Sequence, residues 1–273
     1  MKCRSVAWSV VLAVLVTCAF TTMVVAGSGS GGDKEDKGKW VIMTYTPDNG
    51  YTVPVPMPVT KIKEDGVSFD LFINGGAPDR AMLITEKFPK GTLTGHSLSA
   101  RIAIIATPST TFNYCGPNCD GSDPGGFVRL YIQGTNPALA GCQSGWHPER
   151  PDCEAQYWWS NPLHIDLADL ALLGKKGITL QALLSPENWS DRDGHMGDEP
   201  VFTDTVSGIT VDHTAAFNAA VKNATKMGLS FGGGGNFAFG TGASESAKFL
   251  LYDFKTKPVP KENCGGDDDK KKN

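Results

Sequence analysis

The stretch FVRLYIQ, residues 127–133, decides the fold class, because its side chains alternate between apolar and polar. Successive side chains of a β-strand point to opposite faces, so Val128, Leu130 and Ile132 share one face, and that face must be buried. The other face carries the guanidinium of Arg129, a phenol and an amide. It is either a solvated sheet surface or the lining of a binding site.

Six further stretches have strand character, because each is short and rich in β-branched or aromatic residues, and turn residues bound most of them. They are WVIMTY (40–45), VSFDLFI (67–73), LSARIAII (98–105), ITLQALL (178–184), GLSFGG (228–233) and AKFLLYDF (247–254). Amphipathic strands bury their apolar faces against a second sheet. The sequence therefore predicts an all-β fold, a two-sheet antiparallel sandwich. A jelly roll is preferred to an immunoglobulin-like arrangement, since no pair of strand cysteines flanks a Trp.

One segment, residues 212–228, repeats at helical spacing instead. Its apolar positions recur at i, i+3, i+4 and i+7, namely Phe217, Ala220, Val221 and Ala224. Asp212 or Thr214 is available as the N-cap, and Gly228 stands where a left-handed cap would end the helix. We expect one short helix over residues 214–227, packed on the sheet with Phe217 buried.

The N-terminus predicts the compartment. A short basic region precedes an apolar run from Val6 to Phe20, and Val24-Val25-Ala26 fits a signal-peptidase site. We therefore expect a signal peptide over residues 1–26 and a secreted protein, either extracellular or periplasmic. A lipoprotein with Leu15-Val16-Thr17-Cys18 as its lipidation box is the alternative, although Thr17 fits poorly before a modified cysteine.

Composition divides the remaining chain into three parts. Residues 27–39 are Gly/Ser-rich and charged, without apolar periodicity, and predict a flexible leader. All the predicted strands fall within residues 40–256, which we expect to form the β-sandwich domain. Residues 257–273 predict a charged, disordered tail.

The charge and hydropathy of the chain bear on its partners. The formal net charge is −4, and it becomes −6 when the two basic residues of the signal peptide are removed. This mild acidity argues against a nucleic acid partner, which requires a concentrated basic footprint. A membrane span needs roughly 20 apolar residues, the run from Val6 to Phe20 is short for that, and no later stretch comes close. We expect neither a nucleic acid partner nor a membrane span.

Five cysteines follow the predicted signal peptide, and all lie in polar loops or in the tail: Cys115, Cys119, Cys142, Cys153 and Cys264. Two bridges among five cysteines allow fifteen connectivities. We favour Cys115–Cys119 and Cys142–Cys153 as local loop staples in an oxidising compartment, which leaves Cys264 over. A zinc site that uses the C-x3-C pair and His147 is the alternative.

Several stretches resemble a group of secreted bacterial proteins of unassigned activity that are predicted to adopt a galactose-binding-like jelly roll. The resemblance covers residues from about 66 to 254, and it depends mainly on Arg129, Gln133, Trp158, Trp159, Trp189 and the glycine run 232–235. Similar domains occur in exported proteins with a PEP-CTERM sorting tail. This sequence shows no such tail, so no anchor is expected. The resemblance implies a fold and only weakly a function.

The stretch YWWSN, residues 157–161, supplies a candidate binding surface. Adjacent strand residues point to opposite faces, so at most one of Trp158 and Trp159 joins the core. The other would then lie beside Arg129, Tyr131 and Gln133. An aromatic ring next to planar hydrogen-bonding groups is typical of a carbohydrate site. If both rings are buried, the pair is structural.

A second candidate site is the acidic loop SPENWSDRDGHMGDEP, residues 185–200. Asp191, Asp193, Asp198 and Glu199 supply hard oxygen ligands around two glycines, which suits Ca²⁺. The match to an EF-hand loop covers only its start. A solvated acidic turn is the alternative.

Two functional classes follow from these features. The first is a non-catalytic carbohydrate- or cell-surface-binding module. The second is a polysaccharide hydrolase or lyase, for which Asp191 with Asp193, or Glu187 with Glu199, would be the paired carboxylates. These carboxylates all lie in one loop, whereas catalytic pairs usually face each other across a cleft, so the binding module is favoured. A structural envelope or matrix protein stays open as a third class.

Overall fold

The alternation at residues 127–133 produces a strand near the middle of the larger of two sheets. The computed structural model describes residues 40–46, 51–54, 58–62, 66–73, 81–89, 91, 93–114, 125–134, 156–191, 194–203, 205, 208–232 and 241–259. The strands in these ranges are β1 (Trp40–Thr46), β2 (Tyr51–Pro54), β3 (Thr60–Lys61), β4 (Val67–Asp70), β5 (Phe72–Ile73), β6 (Ala81–Thr85), β7 (His96–Ile105), β8 (Phe112–Tyr114), β9 (Phe127–Gly134), β10 (Tyr157–Ser160), β11 (Ile165–Asp166), β12 (Ile178–Leu183), β13 (Trp189–Ser190), β14 (Phe202–Thr203), β15 (Thr210–Val211), β16 (Ala224–Gly232), β17 (Thr241–Ala243) and β18 (Lys248–Pro258). The helices are α1 (Leu167–Leu173) and α2 (His213–Lys222), with 3-10 turns at Gly174–Lys176 and Pro186–Asn188.

Most of these strands belong to two antiparallel sheets. The large sheet has the order β13-β10-β9-β16-β6-β1-β2, and β11 also pairs with β9. The small sheet has the order β12-β7-β18-β4-β3. The chain passes repeatedly from one sheet to the other, since β6, β9 and β16 lie in the large sheet while β7, β12 and β18 lie in the small one. The predicted all-β, two-sheet antiparallel sandwich of the jelly-roll kind is confirmed.

The core lies between the two sheets. Phe231 of the large sheet meets Phe249 and Phe69 of the small sheet, with ring centroids 4.9 and 5.5 Å apart. Val128 and its apolar partners on β9 are fully buried in this cluster, as the alternation predicts. Burial of such side chains stabilises the fold by about 1.5–3 kcal/mol each.

Helix α2 packs on the large sheet through one apolar stripe that includes Phe217, Ala220 and Val221, all buried. Its N-cap is Asp212, whose side chain accepts a hydrogen bond from the Ala215 amide at 2.9 Å. Burial of Phe217 is therefore confirmed.

The predicted C-terminus of this helix is wrong. Helix α2 ends at Lys222, and Ala224 already belongs to β16, which pairs with β9 and β6 at the centre of the large sheet. Two flanking strands satisfy the backbone from this point on. Gly228 is consequently a strand residue and not a helix cap.

Helix α1 was not predicted. It has seven residues, and Asp166 caps it by accepting a hydrogen bond from the Ala168 amide at 2.7 Å. Only Leu167 and Leu170 are buried, while Leu172 is largely exposed. Such a short helix leaves little periodicity for a sequence pattern to reveal.

Several predictions fall outside the described residues. They concern the signal peptide and leader (1–39), most of the tail, and Cys115, Cys119, Cys142, Cys153 and Cys264 with their proposed bridges. Within the described residues, no helix has the length and apolarity that crossing a bilayer requires.

Candidate functional site

The predicted aromatic surface exists as an arrangement but not as an exposed platform. Trp159 on β10 pairs directly with Tyr131 on β9, and their rings lie 5.3 Å apart on one face of the large sheet. Both side chains are 0 % exposed. They belong to a second apolar cluster, opposite the inter-sheet core, together with Met43, Met82, Ile84 and Tyr157. The expectation of a partly exposed Trp is therefore not met.

Trp158 points the other way, as the alternation predicts. Its ring lies in the inter-sheet core and meets Phe217 of α2 edge-on, with centroids 5.1 Å apart. Trp189 is also buried there, and its indole N–H donates to the Leu183 carbonyl at 2.6 Å. The pair at 158–159 fills two separate apolar clusters, which is a structural role.

The polar members of the predicted surface are turned inward as well. Arg129 is 6 % exposed, and its Nη1 donates to the Ser160 carbonyl at 3.3 Å. Burial lowers the pKa of Arg129 to about 10. The Tyr131 hydroxyl lies 3.3 Å from Oε1 of Gln133, to which it donates, and Gln133 is half-buried. This face is mostly buried rather than open to a ligand.

An exposed polar face lies instead on the small sheet. Leu98, Ala100 and Ile102 of β7 face the core, so the alternate residues of β7 and of its neighbours face outward. We call this surface the Arg101 face. It is formed by Ser99 and Arg101 of β7, Thr179 and Gln181 of β12, and Tyr252, Asp253 and Lys255 of β18.

The strand register aligns these groups in rows. Arg101 stands between Thr179 on one side and Asp253 on the other, and Ser99 stands between Gln181 and Lys255. Arg101, Thr179, Gln181 and Lys255 are exposed. Three neighbouring strands thus present hydroxyl, guanidinium, amide and charged groups to solvent on one surface.

An aromatic ring completes this face. The guanidinium of Arg101 lies 5.4 Å from the centroid of the Tyr252 ring, within cation–π range. The Tyr252 hydroxyl donates to the Lys175 carbonyl at 2.9 Å, which fixes the ring orientation. Asp253 forms an ion pair with Lys255. Tyr252 lies where the register between β18 and β7 shifts, so a simple period of two does not assign its face.

A different cluster joins the acidic loop to the start of helix α2. Oδ1 of Asp191 accepts the His195 amide at 2.9 Å, while Oδ2 lies 3.3 Å from Nδ1 of His195 and 3.5 Å from Nε2 of His213. Asp191 and His213 are buried, whereas the His195 side chain is 35 % exposed. Burial alone would raise the pKa of Asp191, but the hydrogen bonds and charges of both imidazoles outweigh it, so this pKa is lowered.

Local structure places these three side chains. Asp191 follows β13, and its amide donates to the His195 carbonyl at 2.9 Å, which closes the loop. Gly194 within that loop has φ +92°, a conformation that favours glycine. His213 is the first residue of α2, and its ring lies 5.0 Å from the His195 ring.

Within the described residues, the predicted calcium ligands do not come together at one site. Asp193 lies outside them, Asp198 is exposed, and Oε1 of Glu199 accepts the Met196 amide at 2.9 Å. Among the described residues, Asp191, His195 and His213 form the one group of three or more potential ligands with closely spaced donor atoms. Sequence reasoning missed both histidines, because loops and the two short strands β14 and β15 separate His195 from His213 along the chain. The calcium site stays a prediction.

Comparisons with known proteins give distant structural similarities alone. No family model matches the chain, and no curated protein matches it. A structure described as PfGH50B matches with a TM-score of 0.35 and 10 % identity, over 77 % of this chain and 23 % of that one. The xylan-binding module CBM15 matches with a TM-score of 0.31 and 10 % identity, over 78 % and 91 %. A third structure comes from work on endo-acting O-glycanases with which human gut microbiota initiate mucin breakdown. It matches with a TM-score of 0.37 and 9 % identity, over 86 % and 97 %. The chain thus spans about a quarter of the length of the first.

Proposed function

We propose that this protein is a secreted, non-catalytic β-sandwich that binds carbohydrate, free or on a cell surface, through the Arg101 face. The observation that carries the proposal is the row formed by Thr179, Arg101 and Asp253, with Arg101 stacked against the ring of Tyr252. Export is part of the proposal and follows from the expected signal peptide. Kinship with secreted bacterial jelly-roll proteins is also part of it, and it depends on the resemblance of residues from about 66 to 254.

The chemistry of this face suits a sugar chain. Sugar hydroxyls both donate and accept hydrogen bonds, so they match the guanidinium donors of Arg101, the amide of Gln181 and the carboxylate of Asp253. The apolar side of a sugar ring packs on an aromatic face, which Tyr252 offers. The register repeats polar groups along adjacent strands, and this repetition fits an extended chain better than a single sugar.

The face is also held in place before a ligand arrives. It consists of three neighbouring strands of the small sheet, the edge strand β12 and the inner strands β7 and β18, and the orientation of Tyr252 is fixed by the Lys175 carbonyl. A ligand that binds a prearranged surface loses less free energy to the ordering of side chains. Arg101, Thr179, Gln181 and Lys255 are already exposed, so a ligand can reach them without a rearrangement of the core.

The test is a glycan array, which includes xylan and mucin O-glycans, followed by titration of any positive glycan. We expect Arg101→Ala and Gln181→Ala each to weaken binding about tenfold or more, because each removes hydrogen bonds to the ligand. Lys222→Ala, an exposed change on α2, is the matched control and should bind as wild type does. Wild-type affinity in both Arg101→Ala and Gln181→Ala would refute the assignment of this face.

A reducing-sugar assay on the same glycans separates the binding module from its alternatives. Binding without product supports the proposal. Release of product would favour a hydrolase or lyase instead. Absence of both, across an array of wide coverage, would favour a structural envelope or matrix protein.

A further inference from the structure

The hydrogen bonds within the Asp191, His195 and His213 cluster are longer than charge-assisted hydrogen bonds usually are. Charge-assisted N–H···O⁻ bonds have donor–acceptor distances of about 2.7–2.9 Å. The two imidazole nitrogens lie 3.3 and 3.5 Å from Oδ2 of Asp191. The two imidazoles thus form long hydrogen bonds to one carboxylate oxygen, and all three groups are held around that oxygen.

The same distances are close to those between two ligand atoms that bind one metal ion. Metal–ligand bonds of about 2.0–2.1 Å in a tetrahedron place neighbouring ligand atoms about 3.3–3.4 Å apart. The three donor atoms all lie within 4.8 Å of one another. We propose that Asp191, His195 and His213 form a binding site for a divalent transition-metal ion of the zinc type.

The arrangement of the carboxylate supports this site. Oδ1 of Asp191 is occupied by the His195 amide, so Oδ2 is the oxygen that faces both imidazoles. The loop from Asp191 to His195 is closed by backbone hydrogen bonds, and Asp212 caps the helix that begins at His213. These hydrogen bonds hold the three donors close together before an ion arrives, which limits the entropy lost on binding.

The donor set selects the ion. Two imidazole nitrogens and one carboxylate oxygen are typical of Zn²⁺ and related transition metals, whereas Ca²⁺ takes six to eight oxygen ligands. With three protein ligands, a fourth position is left for water or another ligand. His195 is partly exposed, and this provides the route by which an ion enters from solvent. The ring of Phe202 stacks against this imidazole, with centroids 5.5 Å apart.

One feature limits the expected affinity. A histidine that binds a metal through one nitrogen usually donates its other N–H to an acceptor, and loss of that second partner costs 10–100-fold in affinity. Nδ1 of His213 is buried without a hydrogen-bond partner among the described residues. We therefore expect an affinity about 10–100-fold weaker than that of a site with both partners.

The role of the ion follows from what it joins. It would connect the loop after β13 to the first turn of α2, and an ion that binds only the folded chain raises stability by mass action. This site shares no residue with the Arg101 face, so the proposed metal binding does not depend on the proposed carbohydrate binding.

The primary test is calorimetric titration of zinc chloride into the mature chain, purified with its cysteines oxidised. We expect one bound ion per chain, and binding that excess calcium chloride does not displace. His195→Gln should weaken zinc binding by more than about 100-fold, since it removes a direct ligand. His164→Gln, which alters an exposed imidazole elsewhere, should bind zinc as wild type does. A wild type that binds no zinc, or equal affinity in wild type and His195→Gln, would overturn the proposal.

A spectroscopic measurement covers the case in which His195→Gln fails to fold. Cobalt chloride added to wild type should give visible d–d bands typical of four-coordinate nitrogen and oxygen ligation. A near-ultraviolet thiolate charge-transfer band would instead assign the ion to cysteines and would refute the site. The absence of any cobalt spectrum would refute it as well.

Discussion

Tyr131 and Trp159 occupy directly opposite positions on neighbouring strands, and their rings pack 5.3 Å apart on the side of the large sheet that faces away from the inter-sheet core. Both are fully buried, together with other apolar side chains of the same cluster. The large sheet is therefore largely buried on both faces around β9 and β10. The face of Arg129 is thus mostly closed to solvent, whereas the outer face of the small sheet exposes polar side chains such as Arg101 and Gln181.

The two tryptophans should behave as core residues of separate clusters. Trp158→Ala and Trp159→Ala should each lower the free energy of unfolding by about 3–5 kcal/mol, since each leaves a large cavity. Urea denaturation followed by circular dichroism measures this change. A loss below about 0.5 kcal/mol for Trp159→Ala would mean that its ring is exposed in solution, and would restore it as a candidate ligand platform.

Ser160 should stabilise the turn after β10 through two buried hydrogen bonds. Its hydroxyl accepts the Leu130 amide at 3.0 Å and donates to the Leu163 carbonyl at 2.7 Å. Ser160→Ala leaves both groups without this partner, so we expect a loss of about 1–3 kcal/mol in unfolding free energy. Ser99→Ala, on the Arg101 face, is the control and should change stability by less than about 0.5 kcal/mol. Equal stability of the two variants would contradict this role.

Asp212 should contribute as the N-cap of α2. Asp212→Ala removes the acceptor of the Ala215 amide and should cost about 1 kcal/mol, whereas Asp212→Asn should retain most of the stability because asparagine caps helices about as well. Thermal or urea unfolding of the pair decides the matter. A loss of equal size in both variants would point to the charge of Asp212, not to the cap.

Gly134 should be intolerant of any side chain. A Cβ at this position would lie 2.2 Å from the Ala220 carbonyl oxygen and 2.4 Å from its Cα, so α2 would have to move away from the end of β9. We expect Gly134→Ala to cost about 1–3 kcal/mol, as overpacking does. The added Ala220→Gly change should not rescue stability, because the clash involves backbone atoms. Rescue by that second change would show that the contact is between side chains.

The period of two was sufficient to predict several of the longest strands, although it missed others such as β6. The stretches at 98–105, 127–133 and 247–254 all became strands, because each had one apolar face to bury. The pattern failed at the end of α2, where Ala224 continued the helical spacing but was taken by sheet pairing. Apolar residues at i+7 are compatible with both structures, and only the neighbouring strands decide between them.

The sites were harder to predict, for a physical reason in each case. Alternation correctly assigned Trp158 and Trp159 to opposite faces, but it says nothing about what covers the second face. The same alternation in LSARIAII exposes Arg101. The polar face around Arg101 also needs Tyr252 and Asp253, however, which come from a strand near the other end of the domain. His213 and Asp191 likewise meet through tertiary packing alone.

The position of β18 has a consequence for the order of events during synthesis. This strand lies between β7 and β4 in the small sheet, and it is the last strand of the described chain to be made. Until it emerges from the ribosome, β7 and β4 lack the strand that pairs with both of them. Phe231 of the large sheet also lacks the Phe249 ring of β18 that packs against it. Pairing between such remote segments slows folding. The small sheet should therefore stay incomplete until β18, which ends at residue 258, has been made.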